Sequence, residues 1–367
     1  MLTTLLFLTM TPLASEQAQD HRLTEVLVIA AGPDAAQRQL RECISRQCPP
    51  DEEVAATVAY AESLFLAGRY DDAAASLRTG MDRNRRHART HSVPVSEMAR
   101  ATGTIALHRG RPAEYLWHAG DAQGILRHGL PASDRRLLAI RLEMGDALAA
   151  TRKISHADTQ YREVLSVAER HGDSVSAAQA RLRVAILHVN AATSDNASRR
   201  IAERELALLA NSPDAQLHAF RFAARLWLAK LSARLGDERP LEQLISEHAA
   251  VPNDGGPILL KAPTIHPPRG FAHEGAWADI GFWIDDDGRP AEVTIFRTSK
   301  NDDHRWASQV VDAIGKRRYS QVAAGMDERR SIKMERFSVG VDRTIEPGGT
   351  QSLPTYVPII VSSEITP

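Results

Sequence analysis

Cys43 and Cys48 are the only two thiols in this 367-residue chain, and they lie five apart in Arg41-Glu-Cys-Ile-Ser-Arg-Gln-Cys-Pro-Pro50. Three chemistries are open to such a pair: a structural disulfide, two free thiols, or a redox or metal site. A metal site is the weakest of these, because the spacing is not C-x2-C and no second pair exists. In an exported chain the disulfide is the natural reading. Geometry then constrains the local fold, because five residues along one continuous helix would hold the two Cα atoms beyond the ~7 Å that a bridge tolerates. The helix carrying Cys43 must therefore end before Cys48. Pro49 agrees, since it pushes Cys48 towards an extended backbone.

Three other groupings have residue types suited to chemistry. His87 and His91 are four apart, a spacing that on one helix face suits a metal, but Arg83, Arg85, Arg86 and Arg89 surround them and would repel a cation. The run reads as a solvated basic helix end, with a charged partner surface as the functional alternative. Asp285-Asp-Asp-Gly288 has adjacent carboxylates instead of the alternating ligands and closing Glu of a calcium loop, so it reads as a hairpin turn. Asp146, His156 and Asp158 lie close in sequence without a Ser or Cys nucleophile at a persuasive position. No G-x-S-x-G, H-E-x-x-H, phosphate-loop or G-x-G-x-x-G pattern occurs. No catalytic residue, metal or cofactor is expected, and a site assembled across elements is the reading held in reserve.

Lys and Arg number 45 against 46 Asp and Glu, a net charge of −1, so no global field recruits nucleic acid or a membrane surface. Apolar residues make up 43% and aromatics 5%, with Ala and Leu abundant, which leans towards packed helices. Between residues 51 and 250 a rhythm appears. Turn-like segments centre on Gly68, Gly110, Arg152, Ser194 and Gly236, each 42 residues after the last. Seven residues before each turn sits Ala61, Gly103, Gly145, Leu187 or Ala229, mostly small, preceded by Tyr60, Thr102, Met144, Ile186 or Leu228, mostly large. Large-then-small lets a second helix approach the first closely, and Gly at the turn supplies φ > 0. Such self-similarity predicts stacked helical hairpins. The unit Tyr60 to Leu77, with Ala61, Leu64, Gly68, Tyr70 and Ala73, resembles a tetratricopeptide repeat. Its period exceeds that family's ~34 residues, so the extra length is expected in the helices or in links such as His91-Ser-Val-Pro-Val95.

Val251-Pro-Asn-Asp-Gly-Gly-Pro257 reads as a linker, placed at 251–262. Beyond it, Ala278, Ile280, Phe282 and Ile284 alternate, the Asp-Gly turn follows, and Val293 and Ile295 alternate with Thr294 and Phe296: a β-hairpin. Asn301, Asp302 and Asp303 offer helix N-caps, and Trp306, Val310, Ala313 and Ile314 share one helix face. Ser331 to Val341 is expected as a third strand, with a bulge where its alternation slips between Met334 and Phe337. The order hairpin, helix, strand resembles the TonB C-terminal domain. The residues behind the likeness are Ile265-His-Pro267, Gly275 to Ile284, Asp287-Gly288 to Val293, Thr298-Ser299, and Ala313-Ile314 to Tyr319, within Lys261 to Val341.

That resemblance implies a periplasmic module of a Gram-negative bacterium, one that grips an extended segment of an outer-membrane transporter by strand addition. In that family an anchored proton-driven motor pulls the module. Here neither a convincing anchor nor a Pro-rich spacer is read. The apolar run Leu2 to Leu13, with small Ala14 and Ser15, reads as an export signal within residues 1–20, although the first cation is Arg22. The expected plan is the signal, a helix with the cysteine pair (21–50), a tetratricopeptide-like α-solenoid (51–250), the linker, a three-stranded α+β domain (263–342) and a tail (343–367), in which Val357 to Ser362 could add a strand. The expected function is a periplasmic adaptor for protein partners, with no nucleic acid and no small-molecule substrate. The solenoid's concave face would hold one partner. The free edge of the third strand, at Ile332, Met334, Phe337, Val339 and Val341, would accept another. A working transducer with an upstream anchor and an enzyme built across the solenoid are the alternatives.

Overall fold

The computed structural model describes residues 32–249, 257–268, 275–285, 287–299, 305–320, 333–344 and 355–364. The expected signal, the N-caps at Asn301 to Asp303 and the residue Ile332 lie outside them.

Helix α1 (Pro33–Ser45) stops before Cys48, as the cysteine geometry requires, and the structure joins Cys43 to Cys48 with Cα atoms 5.2 Å apart. Five hairpins follow: α2 (Pro50–Leu66) with α3 (Tyr70–Asn84), α4 (Ser92–His108) with α5 (Pro112–Gly129), α6 (Arg135–Ala150) with α7 (Ile154–Arg170), α8 (Ser174–Ala191) with α9 (Asn196–Ala210), and α10 (His218–Arg234) with α11 (Arg239–Ala249). Pro50 and Pro112 open their helices where a missing N–H costs nothing. Asp134, Asp173 and Asp195 cap theirs by accepting backbone N–H groups of the first turn. Helices of 15 to 18 residues from α2 to α10 account for the long period. The expected link at residues 91–95 is instead the start of α4.

Four of the five rhythmic turns have φ > 0: Gly68 at +75°, Gly110 at +71°, Arg152 at +61° and Gly236 at +103°. At each, the residue after the turn donates its N–H to the carbonyl five residues back, as Arg69 N does to Leu64 O and Lys153 N to Leu148 O. This is the helix end that an αL residue permits. At Ser194 the ending differs: Asp195 donates to Ala191 O and then caps α9. The small positions also do what their spacing suggests. A Cβ on Gly145 would run into the ring of Tyr161 on α7.

The C-terminal part carries β1 (Leu259–Lys261), β2 (Trp277–Ile284), β3 (Pro290–Thr298), α12 (Arg305–Gly315), β4 (Arg318–Tyr319), β5 (Lys333–Thr344) and β6 (Thr355–Glu364). The main sheet has four antiparallel strands in the order β3-β2-β5-β6, and β1 pairs with β4 in a second, two-stranded sheet. The expected third strand is thus the second of four from the far edge. A strand also occupies the stretch read as linker, and another the stretch read as tail. The Asp-Gly turn is present: Gly288 has φ +72° and a Cβ there would meet the Tyr319 carbonyl, so only glycine fits.

Trp306, Ala307, Val310, Ala313 and Ile314 of α12 cover Ala278, Ile280, Phe282, Ile284, Phe337 and Val339 of the sheet. The expected bulge in β5 is absent, because its register with β2 runs unbroken from Lys333 to Ser338. The irregularities fall between β2 and β3. The alternation of β5 slips because its second face is buried too, against something other than α12.

Candidate functional site

That second face rests on the first hairpins of the helical array. Met334, Arg336 and Ser338 alternate with Phe337 and Val339 and therefore point away from α12. Arg336 is the largest fully buried side chain of the protein's described residues. Its Nε donates to Asp279 Oδ1 at 2.6 Å and its Nη2 to Asp279 Oδ2 at 2.9 Å, a bidentate pair with both side chains fully buried. Nη2 also donates to the Leu66 carbonyl at 2.8 Å, and Nη1 donates to that of Phe65. These two oxygens belong to the last turn of α2, where carbonyls lose their helical partners. The guanidinium therefore caps a helix from 270 residues away in sequence, and its planar fork makes that possible.

Aromatic rings shield the cluster from water. The guanidinium lies 4.2 Å from the ring centroid of Trp277 and 4.9 Å from that of Phe65. Trp277 presses on Gly68, where any Cβ would collide with the indole at about 2.5 Å. Arg297 adds a second cation to Asp279 Oδ2 at 2.7 Å from the exposed side. One residue pair along, Ser338 Oγ lies 3.1 Å from Tyr70 Oη and 2.9 Å from His108 Nδ1. Burial raises the Tyr70 phenol above its ordinary value, the dominant effect there. At the other end Leu260 of β1 packs with Leu226, Ala229 and Leu241 of α10 and α11. The C-terminal module thus touches both the first and the last hairpins.

The edge expected to receive a partner strand is not free. Strand β6 pairs with β5 from Glu335↔Glu364 to Thr344↔Thr355, so the chain supplies its own neighbour there. Phe337 and Val339 are buried under α12, Met334 stands opposite Gly281, and Val341 stands opposite Pro358. The outer strands of the sheet are β3 and β6. Arg336, Ser338, Trp277, Tyr70 and His108 are too far apart in sequence for any local pattern to group them. The single sequence trace of them was the slip between Met334 and Phe337.

Two grooves open on the array. One, of about 170 Å³, lies between α3 and α5 with α4 as its floor, and carries Arg78, Arg85, Arg109, Trp117 and His118. That volume is below the ~300 Å³ at which small-molecule pockets begin, so it suits protruding side chains. Trp117 is 63% exposed and stands edge-on to His118, whose imidazole burial holds below its ordinary value. The other, of about 400 Å³, lies among α7, α8 and α9; its cation Arg181 is already engaged by Glu169 and Glu205.

Of the acid–histidine grouping read near residue 150, Asp146 is buried and accepts from the Tyr161 hydroxyl at 2.7 Å and from Arg183 Nε at 3.0 Å. Burial raises its carboxyl above the ordinary range, against the pull of Arg183 and Tyr161. Asp158 faces His188 Nε2 at 3.5 Å, and His188 Nδ1 lies 3.0 Å from Ser198 Oγ. Ser198 itself is buried, 7% exposed, and neither of the two grooves is lined by this trio. His87 and His91 do not share a helix: His87 ends a 3-10 turn, Arg85–His87, His91 precedes the first residue of α4, and the rings meet edge to face 6.1 Å apart. Cys43 and Cys48 have Glu52 nearby, but sulfurs joined to each other are not metal ligands. Among the described residues no helix is long and apolar enough to cross a membrane.

No family model matches the chain, and no curated protein does. Among solved structures it is similar to kinesin light chain TPR-like repeats from Podosopora anserina, at 15% identity and TM-score 0.42, over 54% of this chain and 94% of that one. It is also similar to BtubC (BKLC) from P. vanneervenii, at 16% identity and TM-score 0.47, over 59% of this chain and 87% of the other. Judged on its own hairpins and turns, the helical half is a tetratricopeptide-like repeat array.

Proposed function

We propose that this protein is an exported, periplasmic adaptor whose helical array binds a protein partner. The observation that carries this reading is the α3–α5 groove, where an exposed Trp117 stands beside Arg78 and the ion pairs of Arg85 with Asp121 and Arg109 with Asp71. Tryptophan and arginine dominate the energetics of protein interfaces, and a large apolar ring held in water finds its best use against a partner. The apolar Leu2 to Leu13 run and the joined Cys43 and Cys48 support export. The likeness of β2, β3, α12 and β5 to the TonB C-terminal domain supports a link to outer-membrane transport, with strand addition moved from β5 to an outer strand of the sheet.

A photo-crosslinker placed at residue 117 in the full chain tests the array. It should yield a discrete adduct in the periplasm, and the same crosslinker at exposed Leu235 should not. Equal adducts from both positions, or none from residue 117, would remove the groove as the binding surface. Mass spectrometry of the exported protein tests the location: a mature N-terminus near residues 15–20 is expected, and an intact cytoplasmic chain with reduced cysteines would contradict it.

A further inference from the structure

His108 occupies the junction between array and sheet with a hydroxyl and a cation beside it but, among the described residues, no available acid. Its ring is 1% exposed. From α2 the ring of Phe65 meets it edge to face at 4.9 Å, and from α3 the ring of Tyr70 lies 6.3 Å away. From β5 come Ser338, bonded to Nδ1, and Arg336. On its own helix the next residue, Arg109, is paired with Asp71. The carboxylate of the junction, Asp279 of β2, already receives Arg336 twice and Arg297 once. A proton on His108 would therefore place a second cation near Arg336 inside a dry interface, with the local carboxylate fully committed.

We propose that His108 is an acid-sensitive latch: its protonation releases the β2–β5 face from α2, α3 and α4, freeing the C-terminal module from the first hairpins. Burial first, and Arg336 second, hold the imidazole down at about 3 in the docked state. Once released into water the ring would return to its ordinary value of about 6.5. The sign follows from that order. Above pH ~6.5 neither form binds the proton and docking is at full strength; below it the released form binds the proton and the docked form does not, so docking weakens about tenfold per pH unit until about pH 3. At pH 5 the docking equilibrium should have fallen roughly 30-fold.

The test uses the full chain with fluorophores on the exposed positions Thr79 of α3 and Thr294 of β3, titrated from pH 7.5 to 4. Energy transfer should fall as the pH drops in the parent chain. It should hold to lower pH in His108→Asn, which keeps a partner for Ser338 but cannot take a charge. His108→Phe, which fills the ring's space, provides a second uncharged variant should the first fail to fold by circular dichroism. The imidazole proton resonance of His108 in the unsubstituted chain supplies an independent reading, and proton uptake should coincide with the loss of transfer. Flat transfer in the parent chain would overturn the proposal. So would the same midpoint in the folded uncharged variants, or proton uptake at a different pH from opening.

Discussion

Gly145, Tyr161, Asp146 and Arg183 close the seam among α6, α7 and α8; Gly68, Trp277, Asp279 and Arg336 close the seam between the first hairpin and the sheet. Each seam sets an aromatic ring on a glycine, and each ties a buried aspartate to an arginine. They differ in what the arginine does next. Arg183 remains partly exposed and serves one carboxylate, whereas Arg336 is wholly buried and also holds two backbone carbonyls of α2. They differ as well in reach: Tyr161 and Asp146 are 15 residues apart, Arg336 and Leu66 270. The array seam forms from one hairpin and the next, so it adds stability locally. The junction can form only when the two ends of the chain have both folded, so it couples them.

The largest expected effect separates these two arginines. Arg336→Met leaves the Leu66 carbonyl without its donor and removes Asp279's buried partner, and should cost about 3–5 kcal/mol. It should also split thermal unfolding into separate transitions for the array and the module. Arg183→Met should cost about 1.5–3 kcal/mol, the worth of a hydrogen bond to a charged group, and leave unfolding a single event. Calorimetry on both variants decides, and a single transition in Arg336→Met would break the comparison.

Next come the glycines. Gly68→Ala combines left-handed backbone strain with the Trp277 clash and should cost about 2–4 kcal/mol. Gly236→Ala also strains a turn of positive φ, at +103°, but with nothing within 4 Å, and should cost only about 1–2 kcal/mol. Denaturant titration of the pair gives the difference attributable to the junction.

Acid should act on the two seams in opposite directions. His108 has a folded value of about 3, below its unfolded 6.5, so its contribution is whole above pH 6.5 and is lost as the pH falls, by about 2 kcal/mol at pH 5. Asp146 is raised by burial above its unfolded value, so the native state takes up a proton more readily, and the array seam is favoured as pH falls through that window. Hydrogen exchange at pH 5 and 7 should therefore show α2 and β5 losing protection before α6 and α8 do.

The smallest effect is at the surface. Arg46 and Glu52 pair at 2.7 Å with side chains 61% and 47% exposed, and Arg46→Ala should change stability by at most about 1 kcal/mol, less in high salt. A larger loss would mean that surface pairs contribute to the array more than screening allows.

The sequence makes the turns and small positions of the array legible, Gly145 among them, but not the Asp146–Arg183 pair, and it leaves the junction nearly invisible, for a reason of distance. Periodicity reports on neighbours within a few turns, so it located the turns at Gly68, Gly110, Arg152 and Gly236, the apolar face of α12, and the end of α1 before Cys48. It took Gly68 for a turn glycine and no more, because nothing near it in the chain announces the indole of Trp277. The broken alternation at Met334 to Phe337 is visible in the sequence and predicts a bulge that the strand does not have. A strand buried on two unlike faces, one apolar and one lined by Arg336 and Ser338, produces the same irregularity with no kink. The free edge expected on β5 went to β6 because Val357 to Ser362, an apolar run that could add a strand, pairs with the nearest open edge.

A double-mutant cycle of Gly68→Ala with Trp277→Ala, measured by denaturant unfolding of the full chain, bears most directly on whether the sheet sits on the first hairpin. If the indole presses on Gly68, the alanine at 68 should cost about 1–2 kcal/mol in the Trp277→Ala background, as at Gly236, and at least about 1 kcal/mol more with the tryptophan present. An equal cost in both backgrounds would mean that the indole does not rest there, and the junction described here would not be the one the protein uses.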